Sequence, residues 1–184
     1  MSPEHSSVKV IGLAGYSGSG KTTLIEQLIA GLKAAGQRVS VVKHAHKDSF
    51  DIDHPGKDSW RHRQAGALEV VVANARRMAL IREFPQPVEI EPHALLAELA
   101  DCDWALVEGF KHGDLPKIEV FRAALGRAAM YPHDPFVVGV ATDDPAALPD
   151  PTGLPVFALD APQALVDHLL ANGERFHYDP ARHG

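Results

Sequence analysis

Eight consecutive residues, Gly15-Tyr16-Ser17-Gly18-Ser19-Gly20-Lys21-Thr22, carry the most specific chemistry in the chain. They match the pattern G-x-x-x-x-G-K-[ST]. In that pattern the glycines let successive backbone N–H groups close around a phosphate, and a helix starting at the lysine adds the positive end of its dipole. Lys21 is expected to neutralise the β and γ phosphates of a nucleoside triphosphate. Thr22 is expected to offer its hydroxyl to magnesium, an ion that keeps most of its ligands as water and phosphate oxygen. A Gly/Ser-rich turn could share this composition. The flanks separate the two readings, because an apolar run precedes Gly15 and a helical pattern follows Thr22.

Phosphate loops work with a second acid at the end of a neighbouring strand. Glu108 closes the apolar run 104–107 and precedes Gly109, which makes it the candidate metal ligand and, with Lys21, the candidate catalytic residue. Asp103 stands at the other end of that run. Asp51 and Asp53, in a polar loop, are further magnesium or water-positioning candidates, although loops carry Asp for solubility as often. The Asn-Lys-x-Asp reader of guanine is absent. Asp143, in Thr142-Asp143-Asp144 after the run 137–140, could accept from guanine N1–H and the exocyclic amine; a helix cap or turn before Pro145 accounts for these residues equally well.

His44, His46, His54 and His62 raise a metal reading, since His-x-His in an extended chain puts two imidazoles on one side. The chain has 11 histidines and one cysteine, with no fixed ligand spacing, so a generally His-rich loop is the preferred account. A nickel-delivery GTPase would use similar parts. A small-molecule kinase would need an acceptor pocket and a mobile Arg-rich lid, and nothing after Phe84 resembles one.

The elements that must position these residues follow from periodicity. Residues 8–14 read as a buried strand and 22–34 as a helix through Leu24, Ile25, Leu28, Ile29 and Leu32. The run 38–42 returns as a β-branched strand, completing a βαβ unit of about 30 residues. Residues 43–57 form a long polar loop, 58–65 a short helix, and 69–73 with 77–84 a hairpin. A helix at 92–100 precedes strands at 104–107, 117–121, 136–141 and 155–159, and a helix at 162–170 ends the pattern. The fold expected is α/β, of the P-loop NTPase kind: a mostly parallel central sheet flanked by helices, with an antiparallel hairpin extension. One domain over 8–171 is expected, between a flexible stretch 1–7 and a polar tail 172–184.

With 184 residues, 45% hydrophobic and 23% charged, the chain is in the ordinary globular range. It has no apolar run long enough to cross a bilayer. Residues 1–7 lack the basic and apolar regions of a signal peptide, so a cytoplasmic location is expected. The lone Cys102 builds no disulfide framework. A net charge of -6 argues against a whole-surface grip on nucleic acid.

Several segments together, GYSGSGKTTL, VVKHAHKDSFDIDHPGKDSWRHRQAGA, LVEGFKH, KIEVFR and VVGVATDD, resemble the molybdopterin-guanine dinucleotide biosynthesis adaptor family, MobB. The resemblance implies a dimeric GTP-binding protein with a P-loop fold and weak magnesium-dependent hydrolysis at most, assisting the guanylyltransferase that joins GMP to molybdopterin. It implies that Gly15, Gly18, Gly20, Lys21 and Thr22 form the phosphate cradle, with Thr23 extending it; Ser17 and Ser19, in the same loop, are further candidate nucleotide-binding residues. Lys43 and His44 match a Lys-His pair after the second strand. Asp51, Asp53, Pro55, Gly56, Lys57, Asp58 and Ser59 match an Asp-rich loop, continued by Arg63 and Ala65-Gly66-Ala67, and Glu108, Gly109, Phe110 and Lys111 match VEGFK. The chain departs in placing His62 between two arginines.

Overall fold

The structure is a computed structural model that describes residues 8–45, 51–149 and 152–182. Two compact units compose it, one drawn from the chain up to His44 and from Glu91 onward, the other from Ala45–Ile90.

The first unit is built on β1 (Lys9–Ala14), α1 (Lys21–Ala34) and β2 (Val39–Lys43). After the second unit the chain adds α3 (Pro92–Ala97), β5 (Trp104–Glu108), β6 (Lys117–Phe121), β7 (Val137–Thr142), β8 (Val156–Ala158) and α4 (Gln163–Ala171). The strands form a parallel sheet in the order β2-β5-β1-β6-β7-β8. A parallel sheet buries both faces, and the side chains of each strand divide between them. Ile11 and Leu13 of β1, with Trp104 and Leu106 of β5, pack against Leu24, Leu28 and Leu32 of α1 and Leu165 and Leu169 of α4. Val10, Ala105 and Val107 point the other way, into a cluster with Leu96 of α3.

Because the strands run parallel, their carboxyl ends meet at one edge of the sheet, where open α/β sheets bind ligands. That edge holds the phosphate loop after β1, Lys43 at the end of β2, Glu108 at the end of β5, Arg122 after β6 and Asp143 after β7. Buried charges brace its loops. Lys117, only 2% exposed, donates to the Gly113 carbonyl at 2.6 Å and to Asp134 Oδ2 at 3.0 Å. Glu119, equally buried, accepts from the N–H groups of Met130 and Tyr131. Burial is the main cause that raises the Glu119 carboxyl above its ordinary range, against those hydrogen bonds.

The helix expected over 92–100 ends earlier, at Ala97. The segment after Asn172, polar in composition, docks: Phe176 is buried beside Trp104 with ring centroids 5.7 Å apart, and the Tyr178 N–H donates to the Val8 carbonyl at 2.9 Å.

The second unit holds α2 (Asp58–Gln64) and the antiparallel pair β3 (Glu69–Ala73) and β4 (Met78–Arg82). Asn74 shapes the hairpin turn, its Oδ1 accepting from the N–H groups of Arg76 and Arg77 at 2.8 and 2.9 Å. Val70 is buried, whereas Val71, Val72, Met78 and Leu80 are exposed.

Candidate functional site

The phosphate loop leaves β1 at Gly15, whose φ is 147°. A Cβ there would stand 2.5 Å from the Val120 carbonyl oxygen, so only glycine lets the first turn lie against β6. The loop closes through Ser19 N–H to the Tyr16 carbonyl at 3.2 Å. Helix α1 then starts at Lys21 without a side-chain cap at Gly20, which leaves its first N–H groups free of a side-chain acceptor. Ser17, Gly18, Thr22 and Thr23 are exposed, whereas Ser19 is buried and its Oγ has no hydrogen-bond partner among the described residues.

Lys21 folds back over the loop, Nζ donating to the carbonyl oxygens of Gly15 and Tyr16, each at 2.9 Å. Its ammonium is held below the ordinary lysine range mainly by burial; Glu108 opposes this, and the cations of Lys43 and Lys111 add to it. An anion beside Lys21 would relieve that cost. Thr22 Oγ1 donates to Glu108 Oε1 at 2.9 Å, and Lys43 Nζ lies 3.2 Å from Glu108 Oε2. The Lys43 contact follows from register, since Lys43 of β2 is the Cα partner of Glu108 in β5. Glu108 is buried, so its carboxylate is confined between a hydroxyl and an ammonium.

Two basic residues without an assigned role join the loop. Lys111 Nζ sits 3.7 Å from the centroid of the Tyr16 ring, a cation–π contact with the loop itself. Arg122 donates from Nε to the Ser19 carbonyl at 2.8 Å. The signal for Arg122 was its place one residue beyond the buried strand β6, neighbour of the loop-bearing strand β1.

The two aspartates after β7 separate. Asp144 is the turn former: its Oδ1 accepts from Ala146 N–H at 3.0 Å, and its own N–H donates to Thr142 Oγ1 at 3.2 Å. Asp143 takes no part in that cap and pairs with Arg122 Nη1 at 2.7 Å.

Asp51 and Asp53 belong to the second unit, where Arg63 gathers them. Its Nη1 lies 3.1 Å from Asp51 Oδ1 and 3.3 Å from Asp53 Oδ2, while Nε donates to Glu83 at 2.5 Å. The Asp53 N–H, then Arg63, hold the Asp51 carboxyl below its usual range. For Asp53 burial works upward, but Ser59 Oγ, the His54 N–H and Arg63 outweigh it. Both carboxylates thus organise their own loop. His44 lies against the Phe110 ring at 5.0 Å, and His46 lies outside the described residues. Among the described residues no three His, Cys, Asp or Glu side chains are grouped to hold a metal ion.

A parallel sheet that opens with a strand, a glycine-rich turn of the G-x-x-x-x-G-K-[ST] pattern and a helix, with an acid on the adjacent strand end reaching the threonine, defines the P-loop NTPase-like α/β class. The model of the MobB family, molybdopterin guanine dinucleotide synthesis protein B, matches residues 10–143, and the chain belongs to that family. It is 43% identical over 138 residues to the molybdopterin-guanine dinucleotide biosynthesis adapter protein of Haemophilus influenzae, covering 75% of this chain and 76% of that protein. To the Escherichia coli protein of the same description it is 41% identical over 144 residues, covering 77% and 82%. The crystal structure of a MobB protein homolog from Bacillus stearothermophilus superimposes with a TM-score of 0.65 at 26% identity, covering 90% of this chain and 98% of that one.

Proposed function

We propose that this protein binds GTP with magnesium at the loop from Gly15 to Thr22 and acts as an adaptor for the guanylyltransferase that joins GMP to molybdopterin. The observation that carries the nucleotide part is the Thr22 hydroxyl on Glu108 beside Lys21, which puts two oxygen ligands and a phosphate-seeking ammonium at the mouth of one glycine loop. The adaptor part is supported by the relatives from Haemophilus influenzae and Escherichia coli, both described as adapters in that biosynthesis.

The residues fit the two ligands. The Gly15 turn is a cradle that a Cβ would fill, and the first N–H groups of α1 take no side-chain cap. The oxygens of Thr22 and Glu108 suit a hard cation such as magnesium, and those two residues would hold it. The chemistry that magnesium would supply there is positive charge to offset that of the triphosphate. Lys21 would exchange its carbonyl partners Gly15 and Tyr16 for phosphate oxygen, a charge-assisted contact that is stronger than those it leaves. Lys43 holds the other Glu108 oxygen and fixes the direction in which that carboxylate faces. Glu108 has a partner on each oxygen, Thr22 on one and Lys43 on the other, in keeping with weak hydrolysis at most.

A homodimer is part of the proposal, supported by the exposed Val71, Val72, Met78 and Leu80 of the hairpin, which two strands alone shelter poorly. We place the protein in the cytoplasm, working without nucleic acid or a membrane. The net charge of -6 argues against a whole-surface grip on nucleic acid; no helix among the described residues is long and apolar enough to cross a membrane. Affinity capture tests the adaptor role: the purified protein with GTP and magnesium should recover a guanylyltransferase from lysate. Recovery of a nickel enzyme's assembly factors in its place would overturn the role.

A further inference from the structure

Arg122 reaches two loops at once. Its Nε donates to the Ser19 carbonyl in the phosphate loop at 2.8 Å, and its Nη1 donates to Asp143 Oδ2, after β7, at 2.7 Å. The guanidinium lies against the loop backbone at Gly20, where a Cβ would stand 3.4 Å from Arg122 Nη2 and 3.7 Å from Nε, ordinary van der Waals contact. We infer that Arg122 is a positioning residue for base selection, fixing the Asp143 carboxylate for guanine and tying that carboxylate to the loop that holds the triphosphate. The inference rests on the reading that GTP is the ligand and that Asp143 faces its base.

The chemistry is that of a rigid fork. A guanidinium is planar and always charged, so anchoring Nε on Ser19 sets the direction in which Nη1 points. Each carboxylate oxygen has two acceptor sites. Asp143 Oδ2 can keep Arg122 and still accept one guanine N–H, while Oδ1 accepts the other. Adenine presents an acceptor at N1 and would meet the same carboxylate with repulsion. Asp144 is held to the turn 142–146, its Oδ1 accepting from Ala146 N–H and its own N–H donating to Thr142 Oγ1, and it makes no hydrogen bond with Arg122, so it is the control position. Arg122 and Asp143 are 37% and 40% exposed, and an exposed ion pair adds little to stability. A purely structural pair would therefore leave nucleotide choice untouched, and that difference is measurable.

The test is competition binding of GTP, ATP and inorganic tripolyphosphate to the full-length protein and to Arg122→Ala, Arg122→Lys and Asp143→Asn, with thermal melts to confirm folding. Arg122→Ala and Asp143→Asn should each lose about 10-fold of the GTP-over-ATP preference. Arg122→Lys, whose single ammonium cannot span both partners in one plane, should fall between. Tripolyphosphate affinity should stay within about 3-fold throughout, and the double variant should be no worse than either single one. If Asp143→Asn loses selectivity while Arg122→Ala keeps it, the role given to Arg122 is overturned and the GTP reading survives. Equal losses for all three ligands would likewise overturn it, making Arg122 a brace of the phosphate loop. An unchanged ratio in Asp143→Asn, or no GTP binding by the unaltered protein, would sink the underlying reading and the inference with it.

Discussion

The Thr22 hydroxyl donates to Glu108 Oε1 at 2.9 Å across 86 residues of sequence. It joins the first turn of α1 to the end of β5, two elements that the parallel pairing of β1 with β5 brings side by side. With Lys43 on the second oxygen, Glu108 is oriented before any ligand arrives. If the carboxylate serves the metal, Glu108→Gln should cost about 10-fold in GTP affinity with magnesium and little in its absence. Calorimetry in magnesium and in chelator separates the two, and equal losses in both would contradict the metal role.

The buried Lys117 predicts a stability effect away from the phosphate loop. Its ammonium is held by Asp134 and by the carbonyls of Gly113 and Lys111. Asp134→Ala strands a buried charge and should destabilise by about 2 to 4 kcal/mol, whereas Lys117→Met, which removes the charge itself, should cost clearly less. Urea unfolding of the two variants checks the ranking. A larger loss in Lys117→Met would mean that the carbonyl contacts, and not the charge pair, hold the loops.

Arg38 gives a pH-dependent prediction. Its guanidinium, then its backbone N–H, bind Asp103 and lower that carboxyl from its ordinary 3.8 to about 2. The folded protein therefore gives up this proton more readily than the unfolded chain. The stabilisation is complete above about pH 4 and disappears as the pH falls through about 2. The stability difference between the unaltered protein and Asp103→Asn should be present at about pH 6 and shrink toward about pH 2. A gap that persists unchanged at the acid end would show that Asp103 acts through packing and not through its charge.

How legible this was in the sequence depended on how local each feature is. The loop from Gly15 to Thr22 could be read because one contiguous stretch supplies its glycines, lysine and threonine. Glu108 could be proposed because an apolar run ending in an acid is also local. The contact of Lys43 with Glu108 could not be derived from spacing, since it requires β2 to pair with β5 and not with β1, a choice made by non-local packing. The bridge from Arg122 to Ser19 and Asp143 likewise depends on β6 and β7 following β1 across the sheet. Asp143 and Asp144 looked alike in sequence, and only the turn geometry made one a cap and the other an arginine partner. The segment after Asn172 read as a polar tail because its composition masked Phe176, whose burial comes from the pocket beside Trp104. The network that Arg63 builds with Asp51, Asp53 and Glu83 was not legible locally, because Arg63 and Glu83 lie farther along the chain.

The claim that matters most is that Lys21 faces the phosphates of a bound nucleotide. Titration calorimetry of GTP with magnesium into the unaltered protein and into Lys21→Ala addresses it directly, because among the described residues Lys21 donates to the carbonyls of its own loop, Gly15 and Tyr16, and its truncation leaves α1 in place. The account predicts a single saturable event in the unaltered protein and loss of at least about 100-fold in affinity in Lys21→Ala, with the melting temperature essentially kept. Unchanged affinity in Lys21→Ala would remove the phosphate loop from the function and contradict the account.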